Sequence, residues 1–198
     1  MANIDAAFGL RPYTMLGAGA NTSGLVSYPI QTVATAGSAS VIYQGTPVIP
    51  LANGMIDIVG GATGGTVPLL GAFMGCQYTD LNGKPTFNNK YPGTAAIKAN
   101  TVATGLISAN PDQLFLINCN AAAADLIVHA NADFATATSG NATTFISTAE
   151  LDVSTVNTTN TLNMRIVGFE DTPDNDDATV AGRLAIVLLN NHFYRYNA

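Results

Sequence analysis

Val67-Pro-Leu-Leu-Gly-Ala-Phe-Met74, continued by Gln77-Tyr-Thr-Asp-Leu-Asn82-Gly83-Lys-Pro-Thr-Phe87, is the stretch on which the fold class of this chain turns. The first run is apolar at successive positions, as a strand with both faces buried inside a sandwich must be. The second contains Asn82-Gly83, a pair that tolerates positive φ and folds one strand back on the next as a hairpin. Outward from this stretch the same character recurs. Leu25-Val-Ser-Tyr-Pro-Ile30, Ser40-Val-Ile-Tyr43 and residues 55–59 are short β-rich runs. Gly45-Thr-Pro-Val48 reads as a turn into an edge strand, because proline cannot donate to a central ladder. Asn110-Pro111-Asp112 turns into the strand Gln113-Leu-Phe-Leu-Ile-Asn118. Residues 161–169 alternate as a half-buried strand, and residues 183–189 and 192–196 close the chain as strand material.

Weaker segments lie between these. Residues 95–108 are weakly periodic, residues 121–126 are the only helix-like run, and residues 132–147 read as loop or edge strand. Gly60-Gly61 and Gly64-Gly65 mark a flexible loop: no Lys-Ser/Thr follows them and no helix begins there, so they do not form a phosphate cradle. About ten short strands joined by Gly, Pro and Asn turns indicate an all-β chain, a single β-sandwich or barrel-like domain, the jelly roll being one such arrangement. Residues 25–198 form that domain. Residues 1–24 read as an extended N-terminal arm: glycines and Pro12 interrupt every periodicity, while Phe8, Leu10, Tyr13, Met15 and Leu16 supply anchors to pack along its own domain or a partner.

Composition narrows the function classes. Only 10% of the 198 residues are charged, against about 25% in a typical soluble protein. Thr and Asn together outnumber the 7 basic and 13 acidic residues combined. A surface of neutral amides, hydroxyls and glycines carries little charge to desolvate when another protein covers it, so the chain reads as one built to pack against neighbours; the same composition equally fits a secreted β-protein with a Thr/Asn-rich surface. A net charge of −6 with scattered Lys and Arg excludes a phosphate-tracking nucleic-acid binder. No apolar run is long enough to span a membrane as a helix, and the first residues lack a secretory leader. Cys76 and Cys119 lack CxxC spacing and sit in apolar runs, which predicts two buried free thiols.

Catalytic chemistry finds little material. His129 and His192 are the two histidines; on a strand His129 would share a face with Ile127, Asn131 and, further along, Asp133. Neither belongs to a nucleophile elbow or an HExxH, and a hydrogen-bonded structural role is expected of both. Glu170, Asp171, Asp174, Asn175, Asp176 and Asp177 are all oxygen donors of the kind Ca²⁺ takes, but the spacing departs from the EF-hand loop and Pro173 stiffens it. A solvated turn is expected there, and neither metal nor cofactor is assigned.

Three segments carry a resemblance: Ala-Ala-Phe8-Gly-Leu-Arg11-Pro12 at the start; the central Leu70-Gly-Ala-Phe-Met-Gly75-Cys-Gln-Tyr78-Thr-Asp80 with Asn82-Gly83-Lys84-Pro85, Phe87 and Tyr91-Pro92; and Leu162-Asn-Met-Arg165-Ile-Val-Gly168-Phe with Asn190-Asn-His192-Phe-Tyr194-Arg195. In order along most of the chain, with gaps at about 25–65 and 120–160, this set resembles a family of small structural proteins of tailed bacteriophages, especially cyanophages, some of which are capsid cement or decoration proteins. The resemblance implies a β-rich virion protein, assembled in the host bacterial cytoplasm. It would trimerise at three-fold and quasi-three-fold positions on the outer shell and clamp neighbouring major capsid protein subunits. By analogy the arm runs over the capsid or swaps between protomers, with Phe8, Arg11, Pro12 and Tyr13 as its anchoring part. The alternative from another class is a tail- or fibre-associated binding module, carbohydrate-binding through Tyr78, Tyr91 and Asn82.

Overall fold

The structure is a computed structural model and describes residues 3–17, 24–31, 41–59 and 67–195. The glycine loop at 60–65 lies outside the described residues, as do Gly19 in the arm, Ser40 and Tyr196. Twelve strands are present among the described residues: β1 (Arg11–Met15), β2 (Val26–Pro29), β3 (Pro47–Pro50), β4 (Ile56–Ile58), β5 (Gly71–Thr79), β6 (Pro85–Asn88), β7 (Thr104–Ser108), β8 (Gln113–Asn118), β9 (Asn131–Ala135), β10 (Glu150–Asn157), β11 (Met164–Phe169) and β12 (Leu184–Leu189). They form two antiparallel sheets packed face to face, a β-sandwich as the strand and turn pattern predicts. The first sheet has the order β1-β8-β12-β11-β9-β10; the second has β2-β7-β5-β3-β4, with β6 added on β5. Consecutive strands β2 to β7 build the second sheet, and β1 joins β8 to β12 in the first. A parallel bridge between Ile30, just past β2, and Ile56 of β4 links the two ends of the second sheet, which therefore curls into a barrel-like wrap.

Two apolar cores follow from this curl. One lies between the sheets and gathers Leu10, Leu69, Ala72, Phe115, Ile117, Phe134, Leu151, Ile166 and Val187. The other fills the concave side of the second sheet with Ile30, Ile42, Val48, Phe73, Cys76, Tyr91 and Ile107. β5 belongs to both: Ala72 turns to the first core and Phe73 and Cys76 to the second. That is why the central stretch is apolar at successive positions. Each of these large side chains contributes roughly 1.5–3 kcal/mol on full burial. The entry to β5 requires glycine: Gly71 has φ +150°, and a Cβ there would lie 2.0 Å from the Ser108 carbonyl oxygen of β7. The Asn82-Gly83 hairpin forms between β5 and β6, with the Gly83 N–H donating to Asp80 O at 2.9 Å and Gly83 at φ +83°.

Several expectations are corrected, beginning with the chain's end, where residues 192–195 form turns with a single bridge at His192 and no strand. β3 is not an edge strand: it lies between β5 and β4. Its prolines stand at its two ends, so Val48 and Ile49 carry the ladder between them. The alanine run at 121–126 forms no helix beyond a single 3-10 turn at Asp125–Ile127, with no side-chain cap on Ala124; so few residues cannot nucleate a helix without tertiary help. Within 132–147, Asn131–Ala135 is an interior strand between β11 and β10. Finally, β10 had no counterpart in the reading of the sequence, although Leu151 and Val153 alternate along it.

The N-terminal segment is extended and lies along its own domain. Leu10 is only 1% exposed and belongs to the inter-sheet core. Its N–H donates to Gly45 O at 2.8 Å, and the Gly9 N–H donates to Ala149 O at 3.2 Å. The two backbones touch: a Cβ on Gly45 would lie 2.6 Å from Phe8 O. β1 then pairs with β8 through Arg11↔Leu116, Pro12↔Phe115 and Met15↔Gln113.

Candidate functional site

Paired residues of an antiparallel ladder point to the same face, which defines what the first sheet shows on its outward side. Leu116 pairs with Arg11 and Ile186, Leu114 with Leu188, and Asn118 with Leu184. The alternating residues Phe115, Ile117, Ala185, Val187 and Leu189 fill the inter-sheet core. Leu184, Ile186 and Leu188 of β12 therefore form an aliphatic stripe on the face turned away from the second sheet, whereas Leu114 and Leu116 of β8, on the same face, are already covered at 6% exposure each. Leu184, Ile186 and Leu188 are half-buried. Tyr13 stands beside them on β1, 44% exposed.

Both edges of this sheet are blunted against a pairing strand. On β1, Pro12 lacks an N–H and the register with β8 shifts between Pro12 and Met15. On β10, a loop occupies the ladder: the Asn120 N–H donates to Leu151 O at 3.1 Å, and the Val153 N–H donates to Asn120 Oδ1 at 3.1 Å. The face of the first sheet, not its edges, is therefore its open surface.

The four residues expected to anchor a partner divide. Phe8 and Arg11 come together, with the Arg11 guanidinium 4.2 Å above the Phe8 ring. Both line a cavity of about 270 Å³ whose walls include Ile4, Ala6, Leu184 and Asp174. Both also line a smaller cavity of about 90 Å³ with Gln44 and Met74. Pro12 is half-buried, facing Phe115 in the register, and Tyr13 is exposed further along β1. The aliphatic stripe was not foreseen. Its signal lay in Leu184–Leu189, apolar at all six positions although only alternate ones face the inter-sheet core.

The acidic turn closes one side of the larger cavity. Asn175 is buried and spans the turn, its Nδ2 donating to Glu170 O at 2.8 Å and to Leu184 O at 3.1 Å, while its Oδ1 accepts from the Leu184 N–H at 2.6 Å. Asp177 accepts from the Thr179 backbone and hydroxyl, contacts that hold its carboxyl below the usual range. Arg183, buried, ties this turn to the loop before β9. It pairs with Asp125 at 2.7 Å, donates to Ala123 O at 2.8 Å and lies 3.8 Å over the Phe169 ring. Among the described residues no three His, Cys, Asp or Glu side chains are grouped as a metal ion would require.

The histidines occupy unrelated surroundings. His129 is not on a strand: it is exposed in a tight turn at φ +73°, its N–H donating to Ile166 O. His192 is buried just past β12, where it forms a parallel bridge to Leu69 and so joins the two sheets. Its Nδ1 accepts from the Tyr194 N–H at 3.2 Å. Burial first, and the Arg195 charge second, push its pKa down to about 4, against the weaker opposing effects of the Leu70 backbone and Asp112. Cys76 and Cys119 are free and buried, and burial pushes both thiols up to about 12.

The residues considered for a sugar platform do not build one. Tyr91 is fully buried in the second core, and Tyr78 packs against the same core; only Asn82 is exposed. Comparison of the chain with protein-family models, with curated proteins and with solved structures finds no match in any of the three.

Proposed function

We propose that the protein is a structural phage virion protein that decorates the outer capsid surface, as a trimer, and stabilises the shell by bridging neighbouring major capsid protein subunits. The observation that carries this reading is the outward, half-buried aliphatic stripe of β12, on a sheet whose edges are blunted and in a chain with few charges. Such a face gains free energy when covered and gives up little charge solvation in doing so. The sequence resemblance set out above supports the same reading. In it the chain turns over no substrate and uses no cofactor.

Stabilisation follows from mass action. A protein that binds the assembled shell but not its dissociated subunits stabilises the shell by RT ln(1 + [L]/Kd), roughly 2.7 kcal/mol per site at a hundredfold excess. Three linked copies multiply individually weak contacts, because the second and third bind at high effective concentration.

The test is co-sedimentation of the purified protein with undecorated capsids, comparing Tyr13→Asp and Leu188→Asp with Leu25→Asp, an exposed position outside the first sheet. Deleting residues 1–16 is not a clean variant, since it removes Leu10 from the core and β1 from the sheet. Loss of sedimentation in the first two variants alone is the expected result; a wild-type chain that stays in the supernatant at every concentration refutes the proposal. A copy number per virion near that of the major capsid protein is also expected, whereas a tail component is present in far fewer copies.

A further inference from the structure

The β5–β6 hairpin tip offers an exposed apolar side chain on a turn that carries Lys84 and is reached by Lys98, and the cavity beside the acidic turn offers an apolar lining beside carboxylates. We infer that copies of this chain associate head to tail, the hairpin of one inserting Leu81 into the Phe8–Leu184 cavity of the next. This names the contact behind the proposed trimer and so rests on that reading.

The hairpin is a preorganised knob. The Asp80 carboxylate accepts from the Asn82 N–H at 2.9 Å and the Lys84 N–H at 2.8 Å, and the Asp80 N–H donates to Lys84 O at 3.0 Å. The turn is therefore held without a partner, and little conformational freedom remains to be lost on docking. Leu81 is 66% exposed at the tip, and Phe87 is 63% exposed on the following strand. Two lysines belong to this end of the hairpin. Lys84 lies within the hairpin, and Lys98 reaches it, its Nζ 3.4 Å from where a Gly83 Cβ would stand. The Asp80 carboxylate is occupied by the turn itself.

The cavity is the complement. Its walls are mostly apolar, from Ile4, Ala6, Phe8 and Leu184, and its volume of about 270 Å³ accommodates an aliphatic side chain. Asp174 lies in the wall, and Thr172 and Asn175 are shared with an adjoining depression that holds Glu170, Asp171 and Asp176. Asp5 packs against Gly182 on the other side. Two cations are close, and both are engaged: Arg11 over the Phe8 ring and Arg183 with Asp125. The surroundings thus favour an incoming apolar group accompanied by positive charge. Knob and cavity are different surfaces, so the contact is heterologous, and repeated copies close into a ring when the rotation permits.

Light scattering during size-exclusion chromatography of the purified full chain, over a range of concentrations, reads self-association without any capsid. Wild type is expected to form a closed oligomer. Leu81→Asp should raise its dissociation constant about tenfold or more. Lys84→Glu should raise it about twofold to fivefold, as should Asp174→Lys, with the double variant recovering part of the loss. Leu25→Asp should leave it unchanged. A closed ring other than a trimer that dissociates with Leu81→Asp supports the contact and corrects the copy number. A wild-type chain that is monomeric throughout, or an oligomer indifferent to Leu81→Asp, overturns it. In either overturning case, capsid binding measured by sedimentation stands or falls separately.

Discussion

Replacing Leu10 with alanine separates a dispensable arm from an integral strand. Leu10 is 1% exposed and packs in the inter-sheet core. The core it joins includes Phe115, Ile117 and Val187, on the strands β8 and β12 that are paired on both sides. Such a site cannot collapse around the lost atoms, so the cavity penalty adds to the transfer term, and a buried Leu→Ala change costs about 2–5 kcal/mol. For a domain of this size each kcal/mol moves the melting temperature by about 2–4 °C, so a fall of roughly 4–20 °C is expected. Differential scanning calorimetry of Leu10→Ala, with Ile4→Ala as comparison, reads this directly. Ile4 is 69% exposed, and its truncation should change stability by no more than about 0.5 kcal/mol. A Leu10→Ala protein that melts with wild type would show that residues before β1 do not belong to the folded unit, and the placement of β1 in the sheet would fall with it.

Two further outcomes are expected. His192 titrates near 4 in the folded chain and near its ordinary value when unfolded, so between about pH 6.5 and pH 4 the unfolded chain binds a proton that the folded chain refuses. Stability is therefore complete above that window and falls by about 3 kcal/mol as pH drops through it. The carboxyls of Asp57, Asp133 and Glu150, raised by burial, work in the opposite sense. The difference in urea midpoint between pH 7 and pH 4.5 should accordingly be smaller in His192→Gln than in wild type, and equal differences would contradict the assignment. Cys76 and Cys119, buried and with thiols pushed up to about 12, should react with a thiol reagent only after denaturation; prompt labelling of the native protein would show the cores to be open.

Local chemistry made parts of the fold readable in advance. The hairpin at Asn82-Gly83 needs only residues that accept positive φ. The strand at Gln113–Asn118 announces itself by an apolar run after a proline turn. What failed depended on neighbours remote in sequence. Pro47 and Pro50 suggested an edge, yet β3 is interior because the prolines occupy its ends. Asn131–Ala135 is rich in small and polar residues and lies mostly in a segment that reads as loop or edge strand; pairing on both sides, with β11 and β10, makes it a central strand. In the candidate site, Phe8 and Arg11 were legible as apolar and cationic features of a Gly-rich segment. The acidic turn was equally legible as a cluster, but nothing local placed it beside Leu184 and Phe8 in one cavity wall.

The amino-acid order alone determined that this chain would form strands: two-residue periodicity, turn chemistry and a scarcity of charge act over a few residues and require no knowledge of the whole. Which faces those strands would share was decided only by tertiary structure. The second sheet curls until Ile30 meets Ile56, giving β5 two cores to serve, and Leu10 enters the inter-sheet core only because Gly9 and Gly45 let two backbones touch. The outward stripe of β12 arises in the same way, since an apolar residue is core or contact surface according to what the fold places against it.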